Sequence, residues 1–418
     1  MAFRPDSLLP WGWSSSGGVP ALARALGYDL DERIVWAVDE NARLVGIDLE
    51  SGGWRTYLSG VRRAAVGPDG SVLVVDSSGR LVRLQRRTPA VLSASFRRPP
   101  VALWGAINGQ ALALSADSAP GVRLISPERS GPPASVSEGP VAPSFWGEIV
   151  AVSEGDQLRL VRTTDGSTLR TIDLPGPPAQ VLFSPSGHRV YALVGDEVTV
   201  ADRFSGERLQ SIALPGEARQ ARADPSGRWM VVRPASGDSA WVVDLATGRH
   251  VATLETEWRE DLPLIAGAAT LVVHNGKSVD AYNLAAVPPE RMTTVAGGAK
   301  DLWMVIPWVP PQRAPRALAA VETAVVQQDQ ALVTDSTPSA TLEEHWLQVS
   351  SSQNPDWADD LAEQLRDAGH PAGVWRPETP EESYRVVVGP YPTRAVAEEA
   401  GRRLGRPYFV VQRGSREP

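Results

Sequence analysis

Short runs of apolar, mostly β-branched residues recur along the first three hundred positions, and turns rich in Gly, Pro and Asp separate them. Ser71-Val72-Leu73-Val74-Val75 and Arg80-Leu81-Val82-Arg83-Leu84 are two such runs. Runs this short, with this chemistry, predict strands rather than helices. Because apolar positions dominate instead of strictly alternating, the strands are expected to be covered on both faces.

The runs repeat. GPDG (67–70), SPSG (184–187) and DPSG (224–227) each precede a strand-like stretch, and Gly187 and Gly227 stand 40 residues apart. A second marker, in GIDLESG (46–52), VRTTDG (161–166), VADRFSG (200–206) and VVDLATG (242–248), returns at steps near 40. Several short strands per 40 residues, punctuated by Pro and Gly, predict β-propeller blades of four strands each. Residues 31–305 accommodate about seven blades at that period. The markers resemble those of the YVTN and tryptophan-aspartate repeat propellers. Asp48, Asp202 and Asp244 of the second marker read best as acceptors for turn backbone N–H groups, with a ligand role as the alternative.

Past residue 343 the apolar spacing alternates between strand-like and helical. Trp346 to Ser350 reads as a strand. Asn354 and Pro355 are a helix N-cap and first position, followed by Trp357, Leu361 and Leu365 at steps of four. Ala372 to Arg376 and Tyr384 to Val388 read as strands; Thr393 caps a second helix with Ala397, Ala400 and Leu404 inward, and Tyr408 to Gln412 closes the pattern. The order βαββαβ is that of a small ferredoxin-like α+β domain. EHWLQVSSSQNPDWADDLAEQLRDAGHPAGVW (344–375), SYRVVVGPYPTRAVAEEAGRRLG (383–405) and YFVV (408–411) together resemble the SPOR (sporulation-related repeat) family. That resemblance implies binding of peptidoglycan glycan strands stripped of their peptides, laid across the sheet. It implies Gln348, Arg385 and Tyr391 as the contacts, Tyr391 offering a ring face and a polar tip. Ser350, Ser351 and Ser352 stand where the family carries Gly, a small residue and an aromatic, so one stacking ring is missing. Residues 343–418 also hold 9 Arg against 13 Asp plus Glu, so a polyanion would need a local basic patch.

The domain plan read from the chain is an arm at 1–30, a propeller at 31–305, a Pro- and Ala-rich linker at 306–342 and a SPOR-like domain at 343–414. Arg316 to Gln328 of the linker reads as a short helix. Trp11 and Trp13 in the arm are candidate anchors for a partner, with packing back onto the chain's own propeller as the alternative; Trp303 and Trp308 are further candidates in the apolar segment Leu302 to Pro311, which reads as a closing strand or a docking segment. No stretch reaches the length of a membrane-spanning helix. The formal charge of −8, with no basic run, excludes nucleic acid as a partner. Only two of the 41 basic residues are Lys, which reflects codon bias rather than arginine chemistry. With no Cys and five scattered His, the chain holds no thiolate chemistry and no metal-binding motif. No nucleophile elbow, phosphate loop or EF-hand spacing occurs. The expectation is a non-catalytic binding or scaffold protein without a cofactor; a propeller hydrolase is the alternative. The N-terminus lacks the continuous apolar run of a secretory leader. The expected setting is therefore the cytoplasmic side of a membrane, peripheral to it, with protein partners in a larger assembly such as a respiratory or photosynthetic complex. The periplasm or cell envelope, with peptidoglycan glycan as the partner, is the alternative.

Overall fold

The computed structural model describes residues 1–308 and 344–412, apart from 12, 16, 107–108, 116–120, 127–129, 136–138, 268, 353–354, 368, 378–382 and 405–407. Residues 309–342 of the linker, with its expected helix, and the cap Asn354 lie outside the described residues.

Seven antiparallel four-stranded sheets, each made of four consecutive strands, follow one another along the chain. Their innermost strands begin at residues 22, 63, 102, 141, 180, 218 and 264. The fold is thus a seven-bladed β-propeller, and the period near 40 is the length of one blade. Blade one begins at Leu22, inside the stretch that the sequence pattern assigned to the arm. LARALGYD carries too little apolar patterning to read as a strand by itself; it becomes one by pairing with Ile34–Asp39.

The core is divided among the gaps between blades. One cluster joins Tyr191, Leu193, Val198 and Val200 of blade five to Met230, Val232, Trp241 and Val243 of blade six, and comparable clusters fill the other gaps from blade one to blade seven. Interdigitation of both faces is why the strand runs are apolar throughout. The turn aspartates do what their spacing predicted. Asp48 accepts from the N–H groups of Glu50 and Ser51, Asp202 from those of Phe204 and Ser205, and Asp244 from those of Ala246 and Thr247.

The seam between blades seven and one is built differently. Leu8 of the arm is buried in a cluster with Leu262, Ala266, Val272 and Val279 of blade seven and its approach, against which Phe3, Trp303 and Val305 pack. Phe3 stacks on Trp303 at 5.3 Å, and Trp13 meets Trp308 edge-on at 5.7 Å. Trp11 lines a broad cavity whose walls include residues of the arm, the post-propeller segment and blades one and three to seven. Trp13, Trp303 and Trp308 therefore pack where arm and post-propeller segment meet, and Trp11 lines the cavity beside them.

The C-terminal domain has strands His345–Ser352, Ala372–Trp375, Tyr384–Tyr391 and Phe409–Gln412, with helices Pro355–Asp367 and Arg394–Leu404. In chain order the sheet runs second, third, first, fourth strand, the ferredoxin-like arrangement. Leu347, Val349, Val386 and Val388 form its core with Ala358, Leu361, Ala362, Leu365 and Ala397 of the helices. No helix among the described residues is long and apolar enough to cross a membrane.

Candidate functional site

A sheet with both helices on one face leaves its other face to meet solvent, a ligand or protein. Strand register identifies the residues there. Gln348 pairs with Val387 and with Phe409, Ser351 pairs with Arg385, and Trp375 pairs with Arg385. Side chains alternate along a strand, so Gln348, Phe409, Arg385 and Trp375 share the helix-free face with Trp346. Trp346 and Trp375 meet there with ring centroids 5.7 Å apart. Tyr391 lies elsewhere: it packs against the helix-side core, and burial pushes its phenol above the ordinary tyrosine range. Of the three expected sheet contacts, the structure brings Gln348 and Arg385 together and leaves Tyr391 apart from them.

The helix-free face is covered by the chain's own propeller. Blades four and five present the turns that join their first two strands, residues 144–148 and 184–188, together with the turn at 203–207 between the last two strands of blade five. Arg203 donates to Ser351 Oγ at 3.3 Å and to Ser383 Oγ at 3.1 Å, while also holding the Gly187 carbonyl at 3.2 Å. Phe204 takes the guanidinium carbons of Arg203 and Arg385 at 5.0 and 5.2 Å from its ring centre. The His188 ring lies 5.2 Å from Phe204 and 5.9 Å from Phe409. Trp146, edge-on to Phe145, packs against the hydrophobic cluster of the C-terminal domain.

The electrostatics of this contact are unfavourable in identifiable ways. Arg203 is 4% exposed. Loss of water brings its guanidinium down to about 10, with Glu148 and then Asp202 opposing that fall and Arg385 adding to it. It remains charged at neutral pH. His188 is held down to about 4, chiefly by desolvation; the Gln348 amide beside it opposes the fall, the cations Arg385 and Arg203 add to it, and Asp202 opposes it least. Gln348 lies against the imidazole, yet neither His188 Nε2 nor either amide atom of Gln348 has a well-aligned partner, and Ser350 Oγ has none. Buried polar atoms left this way each cost on the order of 1–3 kcal/mol.

Residues 342–410 match the family model of the SPOR domain. This segment is a SPOR domain. A comparison with curated protein sequences found no match. Similar solved structures include a dihydro-heme d1 dehydrogenase, NirN, in complex with DHE, at 16% identity and TM-score 0.48, covering 69% of this chain and 68% of that one. Others are the Cps50 (Swd1) β-propeller domain of Myceliophteria thermophila, at 12% identity and TM-score 0.42 over 64% of this chain and 95% of that one, and KlHsv2 with loop 6CD replaced by a Gly-Ser linker, at 11% identity and TM-score 0.48 over 63% and 93%. At such identities the likeness concerns architecture, not activity.

The SPOR sheet was legible from its motif, whereas the propeller residues that cover it were not singled out. Arg203 and Phe204 sit inside one of the repeat markers, where the signal was a departure from the repeat: Asp48-Leu49-Glu50 and Asp244-Leu245-Ala246 become Asp202-Arg203-Phe204. Among the described residues no group of three or more His, Asp or Glu side chains converges as a metal site.

Proposed function

We propose that the chain is a non-catalytic binding protein of the cell envelope, in which the SPOR domain takes a glycan strand of peptidoglycan and the propeller holds protein partners. The observation that carries this reading is the chemistry of the helix-free sheet face within a SPOR domain. It combines the ring pair Trp346 and Trp375, the guanidinium of Arg385 and the amide of Gln348. Sugars are bound by such sets, in which aromatic faces receive C–H surfaces and a few amide or guanidinium groups receive hydroxyls. The deciding experiment is co-sedimentation of the full chain with purified sacculi, before and after an amidase removes the stem peptides. Sedimentation that rises with amidase treatment and falls for Arg385→Ala supports the reading. If a variant with its sheet face uncovered does not sediment, the reading is refuted.

A second reading is favoured by the contact with blades four and five. Here the SPOR sheet serves as a protein-docking surface, and the chain is a scaffold subunit peripheral to a membrane complex. Co-purification of the full chain with such a complex, without sacculus binding, would select it.

A further inference from the structure

The propeller supplies an internal control for Arg203. Five blades, one and four to seven, repeat a backbone hydrogen bond from the residue after the third strand to the residue before the second: Leu49 to Arg33, Thr163 to Glu148, Arg203 to His188, Leu245 to Arg228 and Leu284 to Ala269. The donors are therefore equivalent positions. Leu49, Leu245 and Leu284 are 2%, 4% and 2% exposed, and Thr163, also 2% exposed, turns its hydroxyl back to the Gly147 and Glu148 carbonyls of its own blade. The position is a core position, and an apolar or locally satisfied side chain suits it. Only blade five among these places a guanidinium there, and outside its own blade that guanidinium donates to Ser351 and Ser383 of the SPOR domain. Propeller folding does not ask for a buried cation at this position; docking onto the SPOR sheet does.

We infer that the blade-five rim, anchored by Arg203, is a cap that closes the SPOR ligand face in cis, so that docking and glycan binding are mutually exclusive. The inference rests on the glycan reading and adds its regulation. Three features of the contact argue for a cap that opens. Two guanidiniums, Arg203 and Arg385, flank the same Phe204 ring and repel each other. The amide of Gln348, on the covered face, is sealed from water with only the neutral imidazole of His188 beside it and no well-aligned partner, so a ligand bearing hydroxyls offers it better partners than the cap does. Finally, the covering residues are turn residues at the ends of blades whose cores lie elsewhere, so release need not disturb the propeller.

Two variants of the full chain test the inference. Arg203→Leu installs the side chain that blades one, six and seven carry, keeping the propeller packed while removing both serine contacts. Gly187→Cys with Ser351→Cys provides a lock, because a Cβ on Gly187 would stand 3.7 Å from Ser351 Oγ, and the chain has no other cysteine to mispair. Gly187 has φ +72°, so the new cysteine there is strained, and circular dichroism checks that the locked chain is folded. Binding is read by co-sedimentation with amidase-treated sacculi. The expected results are ready oxidation of the pair, binding about tenfold or more tighter for Arg203→Leu than for the parent, and loss of binding in the oxidised lock with recovery on reduction. Equal binding by parent, Arg203→Leu and oxidised lock overturns the inference, as does a folded pair that fails to oxidise. If the lock forms but neither the reduced pair nor Arg203→Leu binds sacculi, the glycan reading is what fails. The contact is then a fixed interface and not a cap.

Discussion

Lowering pH should release the SPOR domain from the propeller, and His188 sets the size of the effect. Docked, its imidazole is held down to about 4; in water it titrates near 6.5. The undocked state therefore binds the proton more readily, and docking loses stability as pH falls from 6.5 toward 4, while above 6.5 the full docking energy is retained. The groups facing the ring are Arg203 and Asp202 of blade five and Arg385 and Gln348 of the SPOR domain. The two cations disfavour the imidazolium, and the single carboxylate only partly offsets them. A 2.5-unit gap corresponds to at most about 3 kcal/mol, or about 300-fold in the docking constant, once pH is below both values, because Phe204 of its own blade also shields the ring from water. At pH 5 the expected loosening is at most about 30-fold. Proton NMR of the five histidine rings tests the cause, since the resonance missing from His188→Phe identifies His188. That resonance should titrate well below the others in the parent and return to the ordinary range in Arg203→Leu. Small-angle scattering at pH 7.5 and 5 reads the opening, and His188→Phe, which keeps a ring against Phe204 and Phe409, should open less on acidification. An ordinary titration of His188 in the parent, or no change on replacing Arg203, would refute the assignment of the shift to docking.

Leu8→Ala should destabilise the propeller by about 2–4 kcal/mol in urea unfolding, because Leu8 is 4% exposed in the cluster that closes the seam; a loss under about 1 kcal/mol would mean that the arm is not part of the ring. Gly105→Ala should cost about 1–3 kcal/mol or prevent folding, since a methyl there would collide with the Gly67 backbone across the gap between blades two and three; an unchanged melting curve would show that the blades have room to part. Trp146→Ala should weaken docking by about 1–3 kcal/mol with little change in propeller unfolding, read as increased hydrogen exchange on the SPOR strands.

How much of this architecture could be read in advance follows from where the information lies. Blade number came from turn residues, because Asp and Gly at fixed offsets are needed locally by each turn and so recur in the sequence. The SPOR domain was legible because its strands and helices change apolar period at their boundaries. The seam was not, since nothing in Trp11, Trp13, Trp303 or Trp308 says whether an exposed-looking aromatic will meet a partner or another part of its own chain. Tyr391 shows the limit of transferring a sheet contact by motif alone. Gly389 and Pro390 break the pairing between His345 and Leu347, and Tyr391 ends on the helix side of the sheet. The covering of the sheet depended on the relation between two modules, and its one sequence trace was Arg203 replacing an apolar residue in a repeat.

That replacement also explains how the contact can be specific without being strong. An apolar rim would bind the SPOR sheet by area and would also attract other surfaces, whereas a desolvated guanidinium is stable only where hydroxyls and carbonyls stand within reach. Arg203 meets that condition at Ser351, Ser383 and Gly187 together. The serine run 350–352, read in the sequence as the loss of a stacking ring at its third position, therefore has a second role at its middle one: Ser351 accepts a hydrogen bond from Arg203. On this account Ser351→Phe in the full chain should block docking while supplying a ring to the sheet face. The same substitution should tighten glycan binding through both effects, and a variant that is folded, undocked and no better a binder would show that the cap does not control binding.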